Sequence, residues 1–256
     1  MTLLTLTNLS LYQGQRQLCH NLNLTINPGE AWLILGQNGA GKSTLLATLS
    51  GGRKPDSGHI LLQQQDIHTW PARARAQILA WLTQHDDYPF PLSVLEKVLT
   101  GCHPRLARWD WESAQDIELA QQLLAELDLA GLEQRNLATL SGGERRRVAL
   151  ATVLMQQAQL LLLDEPLSQL DVHHQQQTLA LFNRQKAQGQ SLMVVGHDPN
   201  HARAFASHAL LLFGDGRWRA GEVADIINSQ NLSELYQHPI RALHDESGVW
   251  YVPEVM

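Results

Sequence analysis

The sequence predicts an α/β protein with a mostly parallel sheet, preceded by an antiparallel β segment and interrupted by a helical insert. Three observations carry this reading. Short apolar runs bounded by turn residues recur at Ala31–Leu35, Leu79–Leu82, Leu160–Leu163 and Ser191–Val195, the mark of strands buried on both faces. Helix-length segments separate the later runs, and such alternation places helices on the faces of a parallel sheet. From about His85 to Thr139 apolar residues instead recur at three- and four-residue spacing (Ile117, Ala120, Leu123, Leu124, Leu127), which describes amphipathic helices.

Taken in order, Leu3–Leu11 and Leu18–Ile26 alternate like half-buried strands, and Asn27-Pro28-Gly29 closes the second as a turn. The run Ala31–Leu35 ends at Gly36, and Lys42–Ser50 reads as a helix stopped by Gly51-Gly52. His59–Gln63 reads as a further antiparallel strand, Ala72–Ile78 as a helix and Leu79–Leu82 as a strand. Val94–Gly101 and Trp111–Asp128 are the expected helices of the insert. Beyond Ser141 the expected order is helix Glu144–Gln157, strand Leu160–Leu163, helix His174–Gln188, strand Ser191–Val195, helix Pro199–Ala206 and strand His208–Phe213. Gly214-Asp215-Gly216 is a hairpin-type turn. The tail from Ile226 to Met256 reads as one or two helices and a short strand-like end.

Composition bounds the function. With 256 residues, 44% apolar and 17% charged, the chain can bury a sizeable core. A net charge of −6 argues against a protein that coats nucleic acid by bulk charge, but not against anion binding by backbone amides. The longest apolar runs are five residues, whereas a membrane span needs roughly 20. Met1–Arg16 has neither a basic start nor a long apolar stretch, so no secretion signal is expected. Cys19 and Cys102 are unclustered, which predicts neither a disulfide scaffold nor a zinc site and fits a reducing cytoplasm.

Gly36-Gln37-Asn38-Gly39-Ala40-Gly41-Lys42-Ser43 matches G-x-x-x-x-G-K-[ST] between a buried strand and a helix. Glycines let the backbone curl so that successive N–H groups point inward as an anion nest, and the helix adds its positive end. Lys42 then supplies charge to the β- and γ-phosphates, Ser43 a hydroxyl to Mg²⁺, and Thr44 a further phosphate contact. Gly36, Asn38, Gly39, Ala40 and Gly41 form the cradle. Downstream, four leucines lead to Asp164-Glu165. The carboxyl end of such a strand is where open α/β sheets bind ligands. Asp164 is placed to hold Mg²⁺, and Glu165, facing the other way by strand alternation, to orient and polarise a water.

Leu140-Ser141-Gly142-Gly143-Glu144 completes a set that resembles the nucleotide-binding subunit of an ATP-binding cassette (ABC) transporter over residues 3–225. The resemblance implies a P-loop NTPase (RecA-like) core at 1–84 and 140–225 with an N-terminal antiparallel β subdomain. It also implies an inserted α-helical subdomain at about 85–139 and a C-terminal extension at 226–256. Ser141, Gly142 and Gly143 would complete the ATP site of an opposing copy, since amides at a helix N-terminus form a second anion nest; Ser141 and Glu144 also have capping-box spacing. Tyr12 matches the aromatic that stacks on adenine. Gln84 matches the glutamine that senses Mg²⁺ and water. Ser168-Gln169-Leu170-Asp171 matches the loop that crosses the dimer interface in that family; Gln169 stands where alanine is usual, and Asp171 is retained. His197 matches the switch histidine at the γ-phosphate. The remaining histidines (His103, His173, His174, His201, His208) show no metal-ligand spacing.

The implied enzyme is an ATPase using ATP and Mg²⁺. Two copies would sandwich two ATP molecules head to tail, each site joining Gly36–Thr44 of one chain to Ser141–Gly143 of the other. Only 57 positions separate Gln84 from Ser141, too few for the long coiled coil of chromosome ATPases. A single cassette disfavours the two-cassette ribosomal type, and the lack of spans disfavours a fused exporter. A soluble ATPase or another separate-subunit transporter remains the competing reading. Pro89–Val98, Leu170–Gln175 and Ser233–Tyr236 resemble importers of iron-siderophore complexes, haem and vitamin B12. The implied partners are a second copy, polytopic permease subunits and, indirectly, an exported substrate-binding protein, with no nucleic acid. The implied location is peripheral, on the cytoplasmic face of the plasma membrane.

Overall fold

In the computed structural model, which describes residues 2–84, 91–107, 109–246 and 248–254, the alternating and continuous apolar runs become strands of different sheets. Strands β1 (Leu4–Gln13), β2 (Arg16–Ile26), β4 (Ser57–Leu62) and β5 (Gln65–Asp66) form an antiparallel sheet in the order β2-β1-β4-β5. Strands β3 (Ala31–Gly36), β6 (Leu79–Leu82), β7 (Leu160–Asp164), β8 (Ser191–Val195), β9 (His208–Leu212) and β10 (Trp218–Glu222) form the central sheet, β10-β9-β3-β8-β7-β6. All its pairings are parallel except β9 with β10.

The continuous apolar runs are explained by two cores on opposite faces of the central sheet. Leu33, Leu35, Leu161, Leu163 and Val194 face one apolar cluster, while Trp32, Ile34, Leu160, Leu162 and Val195 face the other. Neighbouring strand residues point to opposite faces, so a strand covered on both sides must be apolar throughout. The second cluster also takes in Leu4, Leu9, Leu11 and Leu22 of the antiparallel sheet and Leu45, Leu46 and Leu49 of helix α1 (Lys42–Leu49).

Helix α2 (Ala72–Ile78) leads into β6. Between β6 and β7 lie α3 (Val94–Leu99), α4 (Ala114–Glu126) and α5 (Gly142–Met155). The capping boxes Ser93/Glu96, Ser113/Asp116 and Ser141/Glu144 start all three. The cap at Ser113 is why α4 begins at Ala114 and not at Trp111 as expected. Helix α6 (Val172–Ala187) joins β7 to β8. The expected helix Pro199–Ala206 is a 3-10 turn, Pro199–His201, followed by the short α7 (Ala202–Phe205).

The C-terminal side differs most from expectation. After the Gly214–Gly216 turn the chain adds β10, which the sequence reading did not include. Helices α8 (Val223–Ile226) and α9 (Ser229–Tyr236) follow. The strand-like end is a complete hairpin of β11 (Ile240–Asp245) and β12 (Gly248–Pro253). His85, Pro89 and Phe90, at the start of the insert and of the importer-like stretch, lie outside the described residues.

Two buried arginines tie α5 to its neighbours, one to the sheet and one to α4. Arg146 Nη1 donates to the Thr83 carbonyl at 2.6 Å, and Nη2 donates to the Asp164 carbonyl, so one guanidinium bridges the ends of β6 and β7. Arg147 Nη1 donates to the Leu127 carbonyl at 2.6 Å, capping the end of α4. Each residue is only 7% exposed. Replacing Arg146 by alanine leaves buried carbonyls unpaired and is expected to cost about 2–4 kcal/mol of unfolding free energy; urea denaturation measures it, and a loss within error of zero contradicts the bridge.

Candidate active site

The phosphate-loop residues fold as the sequence demands. Gly36 closes β3 where it pairs with Leu212, and a Cβ there would lie 2.6 Å from the Leu212 carbonyl oxygen. Gly41 precedes α1 at φ 100°, a left-handed conformation, and a Cβ would lie 2.8 Å from Leu18 Cβ. Lys42, 6% exposed, folds back so that Nζ donates to the carbonyls of Gly36 (2.8 Å) and Gln37 (3.2 Å). Burial pushes its pKa down, while Glu165 and Asp164 push it back up.

Asp164 ends β7 almost wholly buried, at 1% exposure. Burial raises its pKa above the usual carboxylate range; a hydrogen bond from Ser43 opposes this, Glu165 adds to it, and Arg146 and Lys42 oppose it. Asp164 Oδ1 is buried without a hydrogen-bond partner. An oxygen in that state, beside a serine hydroxyl, suits a hard cation that takes oxygen ligands.

Glu165 leaves the strand at φ 51°. Its separation from Asp164 therefore comes from a left-handed turn and not from strand alternation. Its Oε1 is 2.8 Å from His197 Nε2, and its Oε2 accepts from Gln84 Nε2 at 3.3 Å. Gln84 follows β6 and His197 follows β8, so three sheet ends contribute one residue each to this contact. Asn38, Gly39, Gly41, Lys42, Ser43, Thr44, Gln84, Glu165 and His197 line one cleft of about 560 Å³. Ala40 is buried behind the loop.

Other expected site residues lie apart from this cleft. Tyr12 on β1 is 36% exposed, accepts from Gln17 Nε2 at 2.8 Å and is not among the lining residues; its neighbour Gln13 is. Ser141, Gly142 and Gly143 open α5, and Asp171 caps α6 through the His174 amide. These two turns touch each other. A Cβ on Gly142 would lie 2.5 Å from Gln169 Oε1, and one on Gly143 2.9 Å from the Gln169 carbonyl oxygen. The unusual Gln169, at φ 62°, thus lies directly against the glycine pair. Sequence reasoning missed Gln13, which carries no motif, and Arg146, whose burial is legible only after folding.

The chain as a whole is similar to known proteins. The family model described as ABC transporter matches residues 19–168, more than half of the chain. The hemin import ATP-binding protein HmuV of Hahella chejuensis is 38% identical over 242 residues, covering 91% of this chain and 92% of that protein. The protein of the same name from Bradyrhizobium diazoefficiens is 36% identical over 253 residues, covering 96% and 92%. An inward-facing metal-chelate type ABC transporter superposes with a TM-score of 0.84 at 30% identity, covering 100% of this chain and 98% of that one. A dimeric ATP-binding cassette in a post-hydrolysis state, bound to ADP and Pi, superposes with a TM-score of 0.76 at 25% identity, covering 86% and 98%. The chain belongs to the ABC transporter family and is one of its ATPase subunits.

Proposed function

We propose that this chain powers a binding-protein-dependent importer of a metal chelate, of the haem, iron-siderophore or vitamin B12 type. The observation that carries this reading is the meeting of Lys42, Asp164, Glu165, Gln84 and His197 at one edge of the parallel sheet, in a chain whose relatives are named for hemin import.

The roles follow from position. On ATP binding, the amides of the Gly36–Thr44 loop would take phosphate oxygens, and Lys42 Nζ would exchange the Gly36 and Gln37 carbonyls for them. Ser43, Asp164 and Gln84 are the residues that would hold Mg²⁺, which when bound neutralises charge on the β- and γ-phosphates. Glu165 accepts a hydrogen bond from the attacking water, and His197 donates to the γ-phosphate. The water oxygen bonds to the γ-phosphorus while its proton passes by way of Glu165 to the phosphate, the bond to the bridging oxygen breaks, and ADP and phosphate leave. Positioning and charge carry most of such a reaction.

Ser141–Gly143 and Asp171 lie outside the cleft of their own chain, and the N-terminal end of α5 would close the site of a second copy. Tyr12, on the strand beside Gln13, is disposed to take the adenine once that closure occurs. The described helices α3 and α4 belong to the proposed helical subdomain, about 85–139, that would meet the permease, and the segment from 226 onward would be an extension. Trp109 and Trp111, 84% and 86% exposed, lie in this insert and support its being a docking face. Among the described residues no helix is long and apolar enough to cross a membrane. Attachment to the cytoplasmic face of the plasma membrane is then through permease subunits, with an exported binding protein delivering substrate.

The test is reconstitution with the permease: chelate-loaded binding protein should stimulate hydrolysis, and E165Q should slow it at least 100-fold while trapping an ATP-bound dimer. Near-normal turnover in E165Q contradicts the role of Glu165, and indifference to binding protein contradicts the importer.

Asp164 gives a second test. Its carboxylate costs folding free energy at neutral pH. The cost is absent below the unfolded pKa of about 3.9 and grows as pH rises to the raised folded value. D164N should therefore raise the nucleotide-free melting temperature, while hydrolysis collapses. A lowered melting temperature contradicts the desolvation argument.

A further inference from the structure

The C-terminal extension reaches the site directly. Tyr236, the last residue of α9, donates its hydroxyl to the His197 carbonyl oxygen at 2.9 Å. One residue earlier, the Leu235 carbonyl accepts from Gln37 Nε2 of the phosphate loop, also at 2.9 Å. A single helix end thus touches the backbone of the switch segment and a side chain of the phosphate loop. The hairpin adds a third tie. Asn200 and Tyr251 exchange two hydrogen bonds, Tyr251 N to Asn200 Oδ1 (2.8 Å) and Asn200 Nδ2 to the Tyr251 carbonyl (3.0 Å).

Helix α9 is itself held firmly. Leu232 and Leu235 are buried in the main apolar core. Glu234 pairs with Arg219 at 2.8 Å and also with Arg217, both beside or within β10. The Tyr251 hydroxyl donates to the Ile227 carbonyl at 2.5 Å, closing the hairpin onto the chain before α9. Gln237, at φ 53°, stops the helix so that Tyr236 is its final residue. Burial pushes the Tyr236 phenol far above its ordinary range, so it remains a donor at neutral pH.

We propose that α9 and the β11–β12 hairpin brace the active site, and that Tyr236 is a positioning residue for hydrolysis acting through His197. The hydroxyl fixes the carbonyl of His197 and hence the backbone from which the imidazole reaches Glu165, 2.8 Å away. The bond from Gln37 makes the phosphate loop and the switch segment share one support. The side chain of His197 is 52% exposed, so packing alone does not fix the imidazole and its direction depends on the backbone that carries it. The brace rests on the reading that His197 acts at the γ-phosphate.

The test is steady-state ATP hydrolysis by the full chain in four forms: wild type, Y236F, H197A and the double variant. Phenylalanine keeps the ring and its packing and removes only the hydroxyl. Y236F should lower kcat about five-fold, the effect of losing roughly one net hydrogen bond. KM for ATP should stay within about two-fold, and the melting temperature should fall by no more than about 4 °C. On the H197A background Y236F should add no further loss, because the two act as one unit. Wild-type kcat in Y236F, or a five-fold loss that persists on the H197A background, overturns the brace. Wild-type turnover in H197A overturns the reading of His197 itself, a result separable from the first two.

Discussion

Everything in the site depends on the parallel pairing of β3, β8, β7 and β6. Their registers align Ile34 with Val195 and Val195 with Asp164, so the carboxyl ends of four strands finish along one edge. Parallel strands all present the same end on the same side, and the loops leaving that end are where α/β sheets bind ligands. Gly36, Gln84, Asp164 and His197 are distant in sequence and adjacent in space because of this alignment alone. The apolar cores on both faces hold it, and Arg146 locks two of the strand ends from above.

That arrangement reconciles an acidic chain with anion binding. The net charge is −6, yet the phosphate loop itself offers backbone amides and the buried Lys42, with the Arg146 guanidinium behind the two carboxylates Asp164 and Glu165. Bulk charge is a property of the exposed surface, whereas the cleft is governed by a few oriented groups in partly buried positions, where electrostatic interactions are stronger. The unpartnered oxygen of Asp164 is the clearest sign that the fold tolerates a local cost to keep a ligand ready.

The core strands were legible because burial on both faces forces continuous apolar runs, and the site because its motifs demand glycines, a lysine and carboxylates at fixed spacing. The remainder was hidden for physical reasons. Strand β10, Trp-Arg-Ala-Gly-Glu, is a half-buried edge strand without alternation, held by its partner β9 and not by its own pattern. The β11–β12 hairpin is half-exposed for the same reason. Arg145, Arg146 and Arg147 are identical in sequence, and only the phase of α5 decides which two are buried. Gln37 reaches Leu235 across 198 positions and Tyr236 reaches His197 across 39, and no local spacing reports either contact.

The central claim is that this sheet edge builds half of an ATP site, and that Ser141–Gly143 of a second copy builds the other half. Hydrolysis by a mixture of two disabled chains tests it most directly, one carrying K42A and the other G142D. If the site is shared between copies, a mixed dimer has one site with both lesions and one with neither, so the mixture should recover clear activity although each chain alone is inactive. If each chain completes its own site, both copies stay disabled, and a mixture no more active than its components would contradict the account.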